Sequence, residues 1–324
     1  MATRRSALLG LAAGFSVLGN KGSWANTYPS KLVTIVVPFA PGGATDVLGR
    51  VLADRLSNVL GQSFVVKNQG GAGGNVGTLE VARAQPDGYT LLMGAAALAV
   101  NQTLYKNLQF NVLRDFEPIS LVALIPNILV TNPSVPANSL NELIAYAKQN
   151  PGKLNYGSPG PGTIAHLGTE MLCAQAGVKM NHIPFRGSAP AASALLGGHI
   201  DVMFDNLPPL APYVQTDKVR VLGLGSAQRH PLFPGIPTIA EAGLPGFEAT
   251  AWQSILAPAK TPPDVVERLS AEVRTVVQDP DARKRIEQYG AIARASTPAE
   301  FRSFLAAEVE KWGAVVRSSG ATPD

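Results

Sequence analysis

The sequence predicts an α/β fold of two similar lobes, each a mainly parallel sheet flanked by helices. Three observations predict it. Short apolar, β-branched runs alternate with runs of helical periodicity, the order expected of parallel strands joined by crossover helices. Glycine and proline, 32 and 26 of the 324 residues, punctuate the chain between these runs. The same succession of strand, glycine-rich loop and helix also occurs twice, which implies two such units in one chain.

The N-terminus stands apart from this pattern. Arg4 and Arg5 precede an apolar run over residues 7–18 that is too short to span a bilayer. Ser23-Trp24-Ala25 then offers small residues at the two positions a signal peptidase reads, so residues 1–25 are expected to be a cleaved export signal. The paired arginines leave both the general-secretory and the twin-arginine route open. Of 27 basic and 23 acidic residues, the leader holds three basic ones and no acid, so cleavage lowers the net charge from +4 to +1. A nucleic-acid partner thereby loses its main support and is not expected. The 299 residues that remain can bury the cores of two domains. Cys173 is the single cysteine, so an intramolecular disulfide and a cysteine-rich metal site are both excluded. Its place on the apolar side of a helix makes it a buried, inert thiol.

Residues 32–38 form a nearly continuous apolar run, the mark of a strand buried on both faces. Pro41-Gly42-Gly43 breaks it, and a helix is predicted over 45–60 with Val47, Leu48, Val51, Leu52, Leu56 and Val59 on one side and Gly61 as its stop. A strand at 64–67, a glycine-rich stretch at 70–77, a helix to about Arg83 and a strand at 89–93 complete the first unit. The second repeats the architecture without repeating the residues: strand 153–157, loop 158–162, helix 163–176 ended by Gly177, strand 179–183, loop 186–188, helix 190–196, strand 199–204. Residues 119–130 read as a strand running from one unit to the other. The chain turns proline-rich after a strand at 219–225 and becomes regular again near Trp252. Helices at 263–278 and 298–317 have no second sheet to complete and are expected to return to the first lobe. Lobe 1 is thus expected at 26–126 and 251–324 and lobe 2 at 127–250, with hinge crossings near 119–130 and 245–255.

In open parallel sheets ligands bind beyond the carboxyl ends of the strands, where helices begin. Three loops occupy that place. The first carries Phe39, Ala40, Gly42, Gly43, Ala44, Thr45 and Asp46; the second carries Ser158, Gly160, Gly162, Thr163 and His166; the third carries Arg186, Gly187 and Ser188. Each leads into a helix N-terminus, whose free N–H groups and dipole favour an anion. Asp46 has two readings, a ligand contact or a helix cap paired with Arg50 four residues on. Arg186 is the one cation of the three loops, suited to a second anionic end of a ligand or to solvent. Asp205 and Asn206, after a strand, could receive a polar or cationic ligand group or make an Asx turn.

Enzyme signatures are thin. Tyr156-Gly157-Ser158-Pro159-Gly160 lacks the glycine two residues before the serine of a nucleophile elbow. Gly71-Ala72-Gly73 is followed by Val76 where a dinucleotide fingerprint needs glycine, and no phosphate-loop lysine motif occurs. His166, His182, His199 and His230 lack metal-ligand spacing. No catalytic residue, metal or cofactor is therefore expected, and an exported hydrolase using Ser158 and His166 is the weakest of three functional readings.

At the loops the chain resembles a known family. Pro38-Phe39-Ala40-Pro41-Gly42-Gly43-Ala44-Thr45-Asp46 followed by Arg50 is similar to the first-loop signature of the tripartite tricarboxylate transporter substrate-binding proteins, also called Bug proteins. Gln69-Gly70-Gly71-Ala72-Gly73-Gly74, Pro86-Asp87-Gly88-Tyr89-Thr90-Leu91, Tyr156-Gly157-Ser158-Pro159-Gly160-Pro161-Gly162, His166-Leu167 and Pro184-Phe185-Arg186-Gly187 extend the likeness. Gly197-Gly198-His199-Ile200-Asp201 and Ala257-Pro258-Ala259-Lys260-Thr261-Pro262 carry it to the later part of the chain. The resemblance implies a monomeric periplasmic receptor of the two-lobed, Venus-flytrap type that holds a small organic carboxylate between its lobes. It implies delivery to a two-subunit integral membrane permease, with a periplasmic sensor subunit as the alternative. Lacking a cysteine that could carry lipid, such a soluble receptor stays with the cell only behind an outer membrane. The chain departs from many relatives at Ala95, Ala96 and Ala97, where they have hydroxyl residues; an apolar or aromatic ligand body would suit this wall.

Overall fold

The computed structural model describes residues 28–323; the export signal expected over 1–25 lies outside them. In chain order the elements are β1 (Val33–Val37), α1 (Ala44–Leu60), β2 (Phe64–Asn68), a 3-10 turn (Ala72–Gly74), α2 (Asn75–Ala82), β3 (Thr90–Ala95), α3 (Ala97–Leu104) and β4 (Phe116–Thr131). Then follow α4 (Leu140–Gln149), β5 (Asn155–Ser158), α5 (Ile164–Ala176), β6 (Asn181–Pro184), α6 (Ser188–Leu196), β7 (Val202–Asn206), α7 (Leu207–Gln215), β8 (Arg220–Leu224) and α8 (Ile239–Ala242). The chain closes with β9 (Thr250–Pro258), α9 (Pro263–Gln278), α10 (Pro280–Gln288), β10 (Ile292–Ala293) and α11 (Pro298–Ser319).

Two sheets share one strand. β1 pairs in parallel with β2 and β3, and β5 in parallel with β6 and β7, so each lobe has the parallel unit that alternating strands and helices predict. Antiparallel strands widen both. β9 pairs with β3 and with β4 as far as Pro126, while from Asn127 onward β4 pairs with β7 and β8. The change of partner falls within one continuous strand.

Burial explains most local choices. Val33, Ile35, Val36 and Val37 are fully buried, as expected of a strand covered on both faces. On α1 the inward side is Leu48, Val51, Leu52 and Leu56; Val59, expected with them, is 50% exposed because the last turn overhangs the packed face. Gly61 closes α1 in the left-handed region at φ 66°, as a C-terminal glycine does. α7 was not apparent in a proline-rich stretch. Pro208 and Pro209 stand in its first turn, where the N–H groups they lack would have no partner inside the helix, so only Pro212 removes a helical hydrogen bond. α9 packs on α1 and β4, whereas α11 touches both α3 and α5. Its Glu308, buried, accepts the indole N–H of Trp252 at 2.9 Å and of Trp312 at 2.8 Å. Cys173 is buried on α5, and burial pushes its thiol up to about 12, as an inert thiol requires.

Candidate ligand-binding cleft

A cavity of about 520 Å³ lies where the two sheets meet. A surface groove of about 630 Å³ beside Tyr28 and Tyr89 is larger but has no wall from the second sheet, so it lacks the two-sided geometry of a closing cleft. Phe39, Gly43, Ala44 and Thr45 form one wall of the cleft together with Ala95 to Ala97 and Val100. Pro159, Gly162 to Ala165, Gly187, Ser188, Asp205 and Asn206 form the other. Ile125 of β4 and Ala251, Trp252 and Gln253 of β9 make the base, on the two strands that join the lobes.

The helices α1, α3, α5, α6 and α7 begin at Gly43, Ala96, Thr163, Gly187 and Asn206, and every one of these N-cap residues lines the cavity. The starts of α1, α3, α5 and α6 leave backbone N–H groups without partners inside the helix, whereas α7, with Pro208 and Pro209 in its first turn, has few to offer; each start carries about half a positive charge. Among the described residues no Lys or Arg lines the cavity, and Asp205 is the only ionisable side chain of these that does. An anion entering this space would be received by main-chain dipoles. Ala95, Ala97, Val100, Ile125, Ile164 and Ala251 supply apolar surface around them.

The remaining predicted residues build the loops without lining the cavity. Asp46 is buried and has its carboxylate fully engaged: Oδ2 accepts the Gly42 N–H at 2.9 Å and Arg50 Nε at 3.1 Å, and Oδ1 accepts Asn68 Nδ2 at 2.8 Å. Asn68 also donates to the carbonyl of Phe39 at 3.1 Å, so one amide ties both ends of the loop. Burial alone would raise the Asp46 carboxyl; the Arg50 guanidinium, then the Gly42 N–H and the Asn68 amide, bring it down to about 2. Of the two readings for Asp46, the structure favours the paired, loop-holding one. Ala40 is exposed at the outer side of this loop.

The second loop is held from beneath. Ser158 is fully buried and shares a 2.7 Å hydrogen bond with His182 Nε2, not with His166, because β5 and β6 are parallel neighbours. Gly160 donates its N–H to the Ser158 hydroxyl at 3.2 Å and accepts the Thr163 hydroxyl at 2.8 Å. His166 Nδ1 accepts the Gly162 N–H at 3.1 Å, and its ring stacks on His182 with centroids 4.0 Å apart. Burial holds both imidazoles down at about 4, His182 additionally through its neighbour His166. Ser158 is thus sealed under the loop, with its partner held in a ring stack. Arg186 is exposed and absent from the cavity wall, so the cleft has no side-chain cation from that loop. Gln253 and Ile125 were missed, for they sit on the joining strands with no glycine signal beside them, whereas Asn206, expected with Asp205, does line the cavity.

Among the described residues no group of three or more His, Cys, Asp or Glu is placed to hold a metal ion. Residues 48–321 match the sequence profile described as "Tripartite tricarboxylate transporter family receptor". BugT of Bordetella pertussis is 39% identical over 299 residues, spanning 92% of each chain. Among solved structures, Rpa4515 of R. palustris with adipate is 35% identical, covers 91% of this chain and 99% of its own, and superposes with a TM-score of 0.79. MatC from Rhodopseudomonas palustris with bound malate is 32% identical, with 89% and 100% covered and a TM-score of 0.75. The chain therefore belongs to the tripartite tricarboxylate transporter family of receptors, a family of two-lobed solute-binding proteins.

Proposed function

We propose that this protein is an exported periplasmic receptor that captures a small organic carboxylate in its inter-lobe cleft and delivers it to a two-subunit membrane permease. The observation that carries the reading is the convergence of five helix N-caps on one cavity that has no basic side chain among the described residues lining it. Gly43 to Thr45 from one side and Gly162 to Ala165 from the other supply the main-chain grip. The relatives with adipate and malate support a carboxylate, and the family's description as transporter receptors supports the permease. Apolar walls at Ala95 to Ala97 and Val100 support an aliphatic or aromatic ligand body. Among the described residues no helix is long and apolar enough to cross a membrane, which agrees with a receptor released after cleavage behind Ala25. The lobes divide at 126/127 and near 250, a reading supported by the partner exchange of β4 and the start of β9.

Titration calorimetry of the purified, monomeric chain against adipate, malate, citrate and aromatic monocarboxylates tests the proposal. At least one carboxylate should bind with Kd of about 1 µM, near −8 kcal/mol, and uncharged analogues should not. Preference for citrate over every apolar-bodied acid would overturn the reading of the wall. Failure of all carboxylates would overturn the binding function itself.

A further inference from the structure

Asp205 stands where two helix starts converge on the cleft. It ends β7 directly before Asn206, the N-cap of α7, and its Oδ1 accepts the Asn206 N–H at 2.7 Å. Its carboxyl also accepts a hydrogen bond from the hydroxyl of Ser188, the first residue of α6. Ser188, Asp205, Asn206 and Gly187, the N-cap of α6, all line the cavity. The Asp205 charge therefore sits against the positive ends of two helices that an entering anion would also use.

No fixed charge answers that carboxylate among the described residues around it. β7 packs against β4, β5, α5, α6 and α7. α6 has no titratable side chain, and α7 has only Tyr213. β4 has only Glu117, which pairs with Arg302, and β5 only Tyr156, which stacks on His166 and His182. α5, with His166, Glu170 and Cys173, lies on the other face of β7: its Gly168 rests on Phe204, and successive residues of a strand point to opposite sides. Arg186, just before α6, is exposed and outside the wall. Burial pushes the Asp205 carboxyl up to about 6, against the pull of the Ser188 hydroxyl and the Asn206 N–H, so the free protein carries it mostly ionised at neutral pH.

A ligand carboxylate held at these helix starts meets a like charge and competes with it for the same positive ends. Charges confined to a cavity of about 520 Å³ lie within about 10 Å of each other. At an effective dielectric of about 20, that distance moves the ionisation of either group by about one pH unit. Asp205 is the weaker acid of the two, so it is the one that gives up its charge.

We propose that the cleft captures its carboxylate together with a proton, drawn from the solvent onto the carboxyl of Asp205. Protonation leaves one negative charge in the cavity, the ligand's, and frees the field of α6 and α7 for it. The inference rests on the carboxylate reading of the cleft and adds to it a proton taken up with the ligand.

Calorimetry of the full chain with adipate, malate, citrate and benzoate, each at pH 6.5 in two buffers of different ionisation enthalpy, reads the proton directly. The enthalpies should differ by the uptake of about half a proton, and affinity should fall about fivefold from pH 6 to pH 8. The stacked imidazoles, held at about 4, stay neutral across that range. Asp205→Asn should abolish the buffer dependence and keep affinity level, at or above the parent's value at pH 8; a purely structural residue would instead lower affinity at every pH. Ser188→Ala, which removes a hydrogen bond to the anion, should move the fall to higher pH, and it decides the matter if Asp205→Asn folds poorly. Equal enthalpies in both buffers for every acid that binds, or an uptake that survives Asp205→Asn, would overturn this inference alone. Binding by none of the four would overturn the carboxylate reading together with it.

Discussion

Gly162 rests directly on Leu104: a Cβ at Gly162 would lie 2.3 Å from Leu104 Cδ2. Gly162 belongs to the loop feeding α5 and Leu104 to the end of α3, so the contact joins the two lobes beside the cleft. Gly162 also sits at φ 70°, where a side chain adds strain of about 1–2 kcal/mol. Gly162→Ala should wedge the lobes apart and weaken carboxylate binding about tenfold or more, a loss of about 1.4 kcal/mol. Leu104→Ala in the same chain should restore part of the loss, and a double-mutant cycle by calorimetry measures the coupling.

Asp46 makes a second prediction, on the first loop. Asp46→Asn keeps the shape but removes the charge that Arg50, Gly42 and Asn68 share. Urea unfolding at pH 7 should show a loss of about 2–3 kcal/mol, the size expected of hydrogen bonds to a charged group. Because the folded carboxyl is lowered to about 2, its contribution is present above the ordinary carboxylate range and is lost as the pH falls toward 2. The difference between parent and variant should therefore shrink between pH 4 and pH 2, and a constant difference would refute the pairing.

The stacked imidazoles predict the opposite kind of group in the same acid direction. His166 and His182 are held at about 4, below the ordinary 6.5, so the unfolded chain binds more protons between those values. Stability should fall as the pH drops from about 6.5 to about 4. His182→Gln keeps a partner for Ser158 while removing one titrating ring. Its Tm should decline less over that interval than the parent's, as read by calorimetric scans at pH 7.5 and 5.

Glu308 gives the largest expected loss. Its removal leaves the indole N–H groups of Trp252 and Trp312 without their buried acceptor. Glu308→Ala should cost about 2–6 kcal/mol, at about 1–3 kcal/mol for each buried donor left unsatisfied, and Glu308→Gln, which keeps an acceptor oxygen, visibly less. Denaturant titration with tryptophan fluorescence separates them.

The sequence made legible what local chemistry writes: glycine stops, helix starts and the buried β1 run. Gly43, Thr163 and Gly187 were readable as helix starts lining a cleft because glycine and hydroxyl residues mark such places. Ser158 pairing with His182 was not readable, for it depends on two strands becoming parallel neighbours across 24 positions. Nor were Gln253 and Ile125, whose direction toward the cleft is set by the register of β4 against β9. Asp46 and Arg50 stood four apart in plain view, but only the folded loop shows that the pair also holds the Gly42 N–H and the Asn68 amide.

β4 leaves a mechanical consequence. Its sixteen residues are knitted into one sheet up to Pro126 and into the other from Asn127, so the joint between the halves is an extended ribbon and not a slack loop. Proline at the changeover fixes its own φ and offers no N–H. Any rotation of one half against the other would draw on the few torsions around that point and on those near the start of β9, where the chain crosses back. A ribbon anchored in both sheets would confine such a rotation to a narrow arc.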